Sequence, residues 1–171
     1  MLAGCAPQPA ATPRITPGTG AQPRELNLIA KEWTFVPPAV DLVAGETVVL
    51  HFVNGGTEVH EAVFGGPDVQ AAWGAAEAAV AGAPPGPTPA VSVPPSVAGL
   101  RVVARSGERV DVTWTVPLDG PDTAGGFLVG CHIPGHYEAG MAVPVRWIGP
   151  DGEPLATPRT VPVDASPEPG T

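Results

Sequence analysis

The chain has 171 residues, enough for one domain with appendages, and 43% of them are apolar, but 24 prolines and 22 glycines assign part of its length to linkers. Its formal charge of −9 divides unevenly: residues 1–24 carry two basic groups, residues 25–150 carry five basic against thirteen acidic, and the remainder one against four. An acidic folded part excludes a nucleic-acid partner, whose phosphates call for Lys and Arg, and favours a basic protein partner.

Residues 1–24 open with Met1-Leu2-Ala3-Gly4-Cys5. Small residues before a cysteine are similar to the end of a bacterial lipoprotein signal, although no basic start or apolar core of a signal precedes them here. The expectation is lipidation at Cys5, an Ala/Pro/Thr/Gly tether after it, and an extracytoplasmic protein held to the membrane by its lipid. Pairing Cys5 with Cys131 would consume the second cysteine, which has another task, so no disulfide is expected.

From Glu25 the pattern turns strand-like, with short β-branched and apolar runs punctuated by Gly, Pro and Asn. Strands are predicted over 25–31, 39–43, 46–53, 59–64, 98–104, 108–116, 125–130 and 141–148, with Ala44-Gly45 and Ser106-Gly107 as turns. About eight strands without a long helical pattern imply an all-β, two-sheet sandwich. One helix is predicted near 68–81: Pro67 suits its first turn, Asp68 its positive end, and Gly82 its stop. Val69, Trp73, Ala76 and Val80 fall on one face of it, so Trp73 is a packing anchor. A proline-rich connection over 83–95 leads back to the sandwich, and a second proline-rich segment, 150–171, ends the chain. The domain then spans 25–149, with the helix and proline-rich insertion at about 66–97. Trp33, Trp114, Phe127 and Trp147 are assigned to the sandwich core.

The chemistry concentrates in Cys131-His132-Ile133-Pro134-Gly135-His136-Tyr137-Glu138-Ala139-Gly140-Met141, where Cys131, His136 and Met141 stand five residues apart. Thiolate, imidazole and thioether together favour copper, because soft sulfur suits Cu(I) and imidazole also accepts Cu(II). Structural zinc takes Cys and His ligands, often in close pairs, and gains little from a methionine. A binuclear site would want a second cysteine where Gly135 stands. Two histidines and a cysteine with a weak axial methionine form a blue-copper electron-transfer centre, so one more histidine is required. His60, at the start of an apolar strand, is the best candidate. His51, in mid-strand, is the alternative, and a paired or exposed strand residue explains it better. Taken singly, Cys131 and Met141 read as buried gap-fillers and the histidines as surface residues; their ordered combination outweighs that reading. His132 points away from the metal if the segment is extended. That makes it either a surface histidine or a partner contact, while Ile133 and Tyr137 help to shield the site.

With these residues in hand, the chain resembles the cupredoxins, the small blue copper proteins, and its Cys-x4-His-x4-Met spacing is similar to that of rusticyanin and auracyanin. The resemblance implies a Greek-key β-sandwich with a short inserted helix, and a mononuclear copper ion held by His60, Cys131, His136 and Met141 at one end. It implies an electron carrier without turnover of its own, since four histidines are too few for a copper enzyme's further sites. The partners expected are redox proteins such as a cytochrome or a membrane oxidase complex, met by a monomer. A copper-delivery or buffering protein of the cell envelope is the rival, since both would use the same ligands. In the family the residue after the first histidine often supports the site by a hydrogen bond; here it is the longer, chargeable Glu61.

Overall fold

In the computed structural model, which describes residues 15–81, 91–149 and 151–155, the alternating segments form nine strands. They are β1 (Arg24–Lys31), β2 (Thr34–Val36), β3 (Val40–Leu42), β4 (Thr47–Asn54), β5 (His60–Gly65), β6 (Leu100–Ala104), β7 (Arg109–Thr115), β8 (Leu128–Gly130) and β9 (Ala142–Trp147). One sheet has the order β2-β1-β4-β7 and the other β3-β9-β8-β5-β6. The architecture is a β-sandwich with one helix, α1 (Pro67–Val80), inserted between β5 and β6. Period-two side-chain placement puts Leu26, Leu28 and Ala30 of β1, Val48, Leu50 and Phe52 of β4, and Val143, Val145 and Trp147 of β9 into the shared core. Burying an aliphatic or aromatic side chain of this kind contributes about 1.5–3 kcal/mol.

Strand β5 is buried along its whole length. Ala62 and Phe64 face the core, while the opposite face is covered by α1. The helix does not dock through the apolar stripe that its sequence suggests. Its buried residues are Gln70, Trp73 and Glu77, whereas Val69, Ala76 and Val80 are only half-buried. Hydrogen bonding explains the difference: the Gln70 amide donates to the carbonyls of Val63 and Gly65, and Trp73 Nε1 donates to the Ala98 carbonyl at 2.8 Å. Polar side chains are acceptable in this interface because they have partners there.

Eight residues of β4 separate the two ends of the sandwich by roughly 23 Å at about 3.3 Å per residue. One end gathers the turns after β1, β4 and β6 and the β8–β9 loop. The other receives both described termini. Gly18 O accepts the Thr47 N–H at 3.0 Å, and Arg24 grips the buried Glu46 carboxylate with Nε at 2.8 Å and Nη2 at 2.5 Å. At the same end Leu155 N–H donates to the Trp147 carbonyl at 2.7 Å. Cys5, Gly82 and the segments 82–90 and 156–171 lie outside the described residues.

His51 faces outward from β4, as its alternation with Leu50 and Phe52 requires. It bridges the neighbouring strands, with Nε2 on Glu25 of β1 and Nδ1 at 2.7 Å from Asp111 of β7, and Arg109 beside it. The Asp111 bond, then the Glu25 bond, raises its pKa above the ordinary value. A raised histidine pKa stabilises the fold fully below the unfolded value of about 6.5, and that contribution is lost as pH rises through the folded pKa. The stability difference between wild type and His51→Gln is therefore expected to be largest near pH 5.5 and to shrink towards pH 8.5. Urea midpoints across that range check it; a difference independent of pH would exclude the charged bridge.

Candidate metal centre

The β8–β9 loop is built by short-range geometry. The Ile133-Pro134-Gly135-His136 turn closes with His136 N–H donating to the Ile133 carbonyl at 2.9 Å, and Gly135 has φ +89°. Proline second and a positive-φ residue third are the requirements of a type II turn, which explains both residues. Cys131 N–H donates to the Met141 carbonyl at 3.1 Å and Met141 N–H to the His136 carbonyl at 3.0 Å. The loop therefore returns Met141 opposite Cys131, as an extension of the β8–β9 pairing.

His60, the first residue of β5, completes the site from across the sheet. The ligand atoms of His60, Cys131 and His136 lie within 4.8 Å of one another. His60 Nδ1 and His136 Nδ1 are 3.1 Å apart, and Cys131 Sγ is 3.4 Å from His136 Nδ1 and 4.0 Å from His60 Nδ1. Bond lengths of about 2.0 Å to imidazole and about 2.3 Å to thiolate set trigonal edges of roughly 3.5 Å (N to N) and 3.7 Å (N to S), so all three separations agree to within about half an ångström. Met141 is fully buried beside them. Glu58 Oε2 accepts from His136 Nε2 at 3.0 Å, which leaves the Nδ1 lone pair aimed at the thiol and at His60. Three converging donors around a buried point fit a cation, and the sulfur-rich set fits copper.

Burial sets the protonation of these groups. The Cys131 thiol is pushed up to about 11, chiefly by burial. Burial, then the neighbouring His136, lowers His60, and burial lowers His132. The buried Cys131 therefore holds its proton at neutral pH, and a metal that enters must displace it.

Adjacent residues point to opposite faces, and this sorts ligands from supports. His60 and Cys131 face inward; Glu61 and His132 face α1. The Glu61 carboxylate is fully buried, accepts the His132 backbone N–H at 3.0 Å, and receives Arg101 Nε at 2.6 Å. Arg101 also reaches Glu77 of α1 at 2.7 Å and lies 4.5 Å over the Trp73 ring. Burial first, and the nearby Glu61 second, hold the Glu77 carboxyl above its usual range. Glu61 thus supports the ligand loop through the residue after Cys131. His132 is not a surface residue: it is 7% exposed, bonded through Nε2 to Gln70 at 2.8 Å, and stacked on Tyr137 with centroids 4.6 Å apart. Gly74 makes room for it, since a Cβ there would come within 3.3 Å of the imidazole.

Trp33 also departs from the sequence reading. It is 46% exposed and outside the core, with its ring edge-on to His136 at 4.9 Å. Phe127 and Trp147 are buried in the core and Trp114 packs against it half-buried. Glu58, Arg101, Gln70 and Trp33 carry no local signal of their roles at the site, because Glu58 and Trp33 act on His136, Arg101 on Glu61 and Gln70 on His132, each at least 40 positions away.

No protein-family profile and no curated protein matches the chain. Solved structures do. Auracyanin B is 26% identical over 80% of this chain and 94% of its own, with a TM-score of 0.57. Auracyanin A, a "blue" copper protein from Chloroflexus aurantiacus, is 25% identical over 73% and 98%, with a TM-score of 0.54. An azurin from Methylomonas sp. strain J is 18% identical over 74% and 98%, with a TM-score of 0.57, and shares the fold. On this sandwich His60 opens its strand and Cys131, His136 and Met141 occupy the loop before the last one; the chain has the cupredoxin fold and carries on it the ligand pattern of a type 1 copper site.

Proposed function

We propose that the chain is an extracytoplasmic blue copper protein that carries single electrons between redox partners, tethered to a membrane through Cys5. The observation that carries this reading is the buried convergence of His60 Nδ1, His136 Nδ1 and Cys131 Sγ on a loop clamped by two strands. When bound, copper supplies a one-electron couple between Cu(I) and Cu(II). The chain's part is rigidity. Strand pairing holds His60, the type II turn holds His136, and the backbone bonds between Cys131, Met141 and His136 hold the loop in one arrangement. A site that does not rearrange suits both oxidation states and keeps reorganisation small.

The same burial favours a carrier over a copper-delivery protein. Cys131, His60 and Met141 are wholly buried and His136 is 2% exposed, so no ligand is presented to a receiving protein. Reversible optical redox titration of the copper-loaded protein distinguishes the two. A carrier is expected to bleach and recover its thiolate band through repeated cycles with all copper retained. Release of the ion on reduction would favour delivery.

The tether reading is supported by where the described chain enters the sandwich. Residues 15–23 lead into β1 at the end remote from His136, which leaves the metal end free to face soluble partners. Expressed with a functional upstream signal, the protein is expected in the membrane fraction and Cys5→Ala in the soluble one. Equal release of both would remove the anchor.

A further inference from the structure

Trp33 is the only residue other than glycine with positive φ among the described residues, at +62°. A bulky side chain in the left-handed region is an outlier that costs free energy, and the surroundings must enforce it. Here the enforcement is visible. The Glu32-Trp33 turn joins β1 to β2, with Lys31 paired to Thr34. The Glu32 carboxylate accepts the Thr57 N–H and, at 3.0 Å, the Thr57 hydroxyl, while Gly55 N–H donates to the Ala30 carbonyl at 2.9 Å. Those bonds hold the Glu32 carboxyl down at about 2, with the Thr57 N–H as the main cause, so the clamp stays charged. Gly56 lets the Glu32 carboxylate approach this loop: a Cβ there would lie 2.6 Å from Glu32 Oε1 and 2.9 Å from His60 Nε2.

The result is a cover over one ligand. His136 is 2% exposed because Trp33 stands against its ring and Glu58 binds its outer nitrogen. A molecule approaching His136 meets the indole first. The loops of this end carry Glu32, Glu58, Glu108 and Glu138 against Lys31, Arg105 and Arg109, a small net negative charge. Trp33 is 46% exposed, so the clamp secures an aromatic that the core does not use. Tryptophan ringed by charges is also a residue type on which binding energy concentrates at interfaces.

We propose that Trp33 is the contact residue for a basic one-electron haem protein, which reaches the metal end through this indole and not through His136 itself. The inference rests on the blue-copper reading. In the step it serves, the ferrous haem of the partner becomes ferric as copper(II) becomes copper(I); one electron moves, and no proton or covalent bond changes.

The test uses the copper-loaded chain and a basic cytochrome c. With the chain in its Cu(I) form, NMR titration at 10 mM salt is expected to shift the Trp33 indole N–H and to spare Leu118, which is 79% exposed at the opposite end. Binding should weaken at 100 mM salt, where the screening length falls from about 30 Å to about 10 Å. Trp33→Gly and Trp33→Asn both suit positive φ, and each is expected to keep the blue band while weakening binding roughly tenfold or more. Neither should unfold more easily than wild type, whereas loss of a merely structural tryptophan would lower the urea midpoint. Leu118→Ser should leave binding unchanged. Unchanged binding in the Trp33 variants, a shift centred on Leu118, or no binding by wild type at low salt would each overturn the proposal. Failure of the wild-type chain to show a reversible blue band would instead remove the copper reading beneath it.

Discussion

Cys131→Ser is expected to abolish the intense visible band of the copper(II)-loaded protein while leaving the sandwich folded. The band arises from charge transfer between thiolate and copper, and among the described residues Cys131 is the only cysteine. Its side chain occupies a fully buried position between the two imidazoles, and serine nearly fills the same space. The hydroxyl is a hard oxygen with no accessible anion at neutral pH, so it cannot replace the soft donor. His60→Ala should likewise destroy the colour, because it removes one corner of the triangle. His51→Ala should preserve it, since His51 lies on the outer face of β4 between Glu25 and Asp111. Visible absorption of the three loaded variants, with far-ultraviolet circular dichroism to confirm folding, decides. A blue Cys131→Ser protein would remove the copper assignment, and a colourless His51→Ala protein beside a blue His60→Ala one would exchange the two histidines.

The largest expected loss of stability is at Glu61. Its carboxylate is completely buried, and among the described residues it alone joins the ligand loop to Arg101. Glu61→Ala leaves the His132 N–H without its acceptor and the guanidinium of Arg101 with Glu77 as its remaining partner. Removing one member of a buried ion pair typically costs about 3–5 kcal/mol, mostly through the charge left behind. Arg101 is 22% exposed at its side chain, which places this case at the lower end of that range, about 3 kcal/mol. Glu61→Gln keeps the shape and an acceptor for His132, so a smaller loss is expected. It also removes a negative charge whose field reaches Cys131 and opposes its ionisation. Since a nearby anion favours the more positive metal state, the reduction potential of Glu61→Gln should rise. Urea unfolding measures the first effect and voltammetry the second. A Glu61→Ala protein as stable as wild type would remove the network from the stability of the fold, and an unchanged potential in Glu61→Gln would show that it serves only to seat α1.

Local rules reached far into this chain. Alternation over 46–53 and 141–148 placed β4 and β9 within a residue of their observed limits. Gly45 and Gly107, the turn glycines, have φ of +78° and +73°. The Cys131-to-Met141 spacing named the loop residues that the structure gathers, and His60 was legible because it opens an apolar strand. The short β2 (Thr34–Val36) escaped notice, since three residues carry too little periodicity to register.

What stayed hidden in the sequence depends on partners distant along the chain. Hydropathy treats Gln70, Glu77, Glu61 and His132 as residues for water, yet all four are buried, because each finds its hydrogen-bonding complement on another element. Trp33 errs in the opposite sense: its size suggests a core position, whereas the turn between β1 and β2 and the Glu32–Thr57 clamp carry it to the metal end. Residue type and spacing therefore specify which atoms can hold the ion and which strands carry them, since both are local properties. Which polar groups are sheltered, and what covers the outer edge of His136, is settled only when β1, β5, β6, α1 and the ligand loop come together, because the energy of a buried polar group depends on its partner.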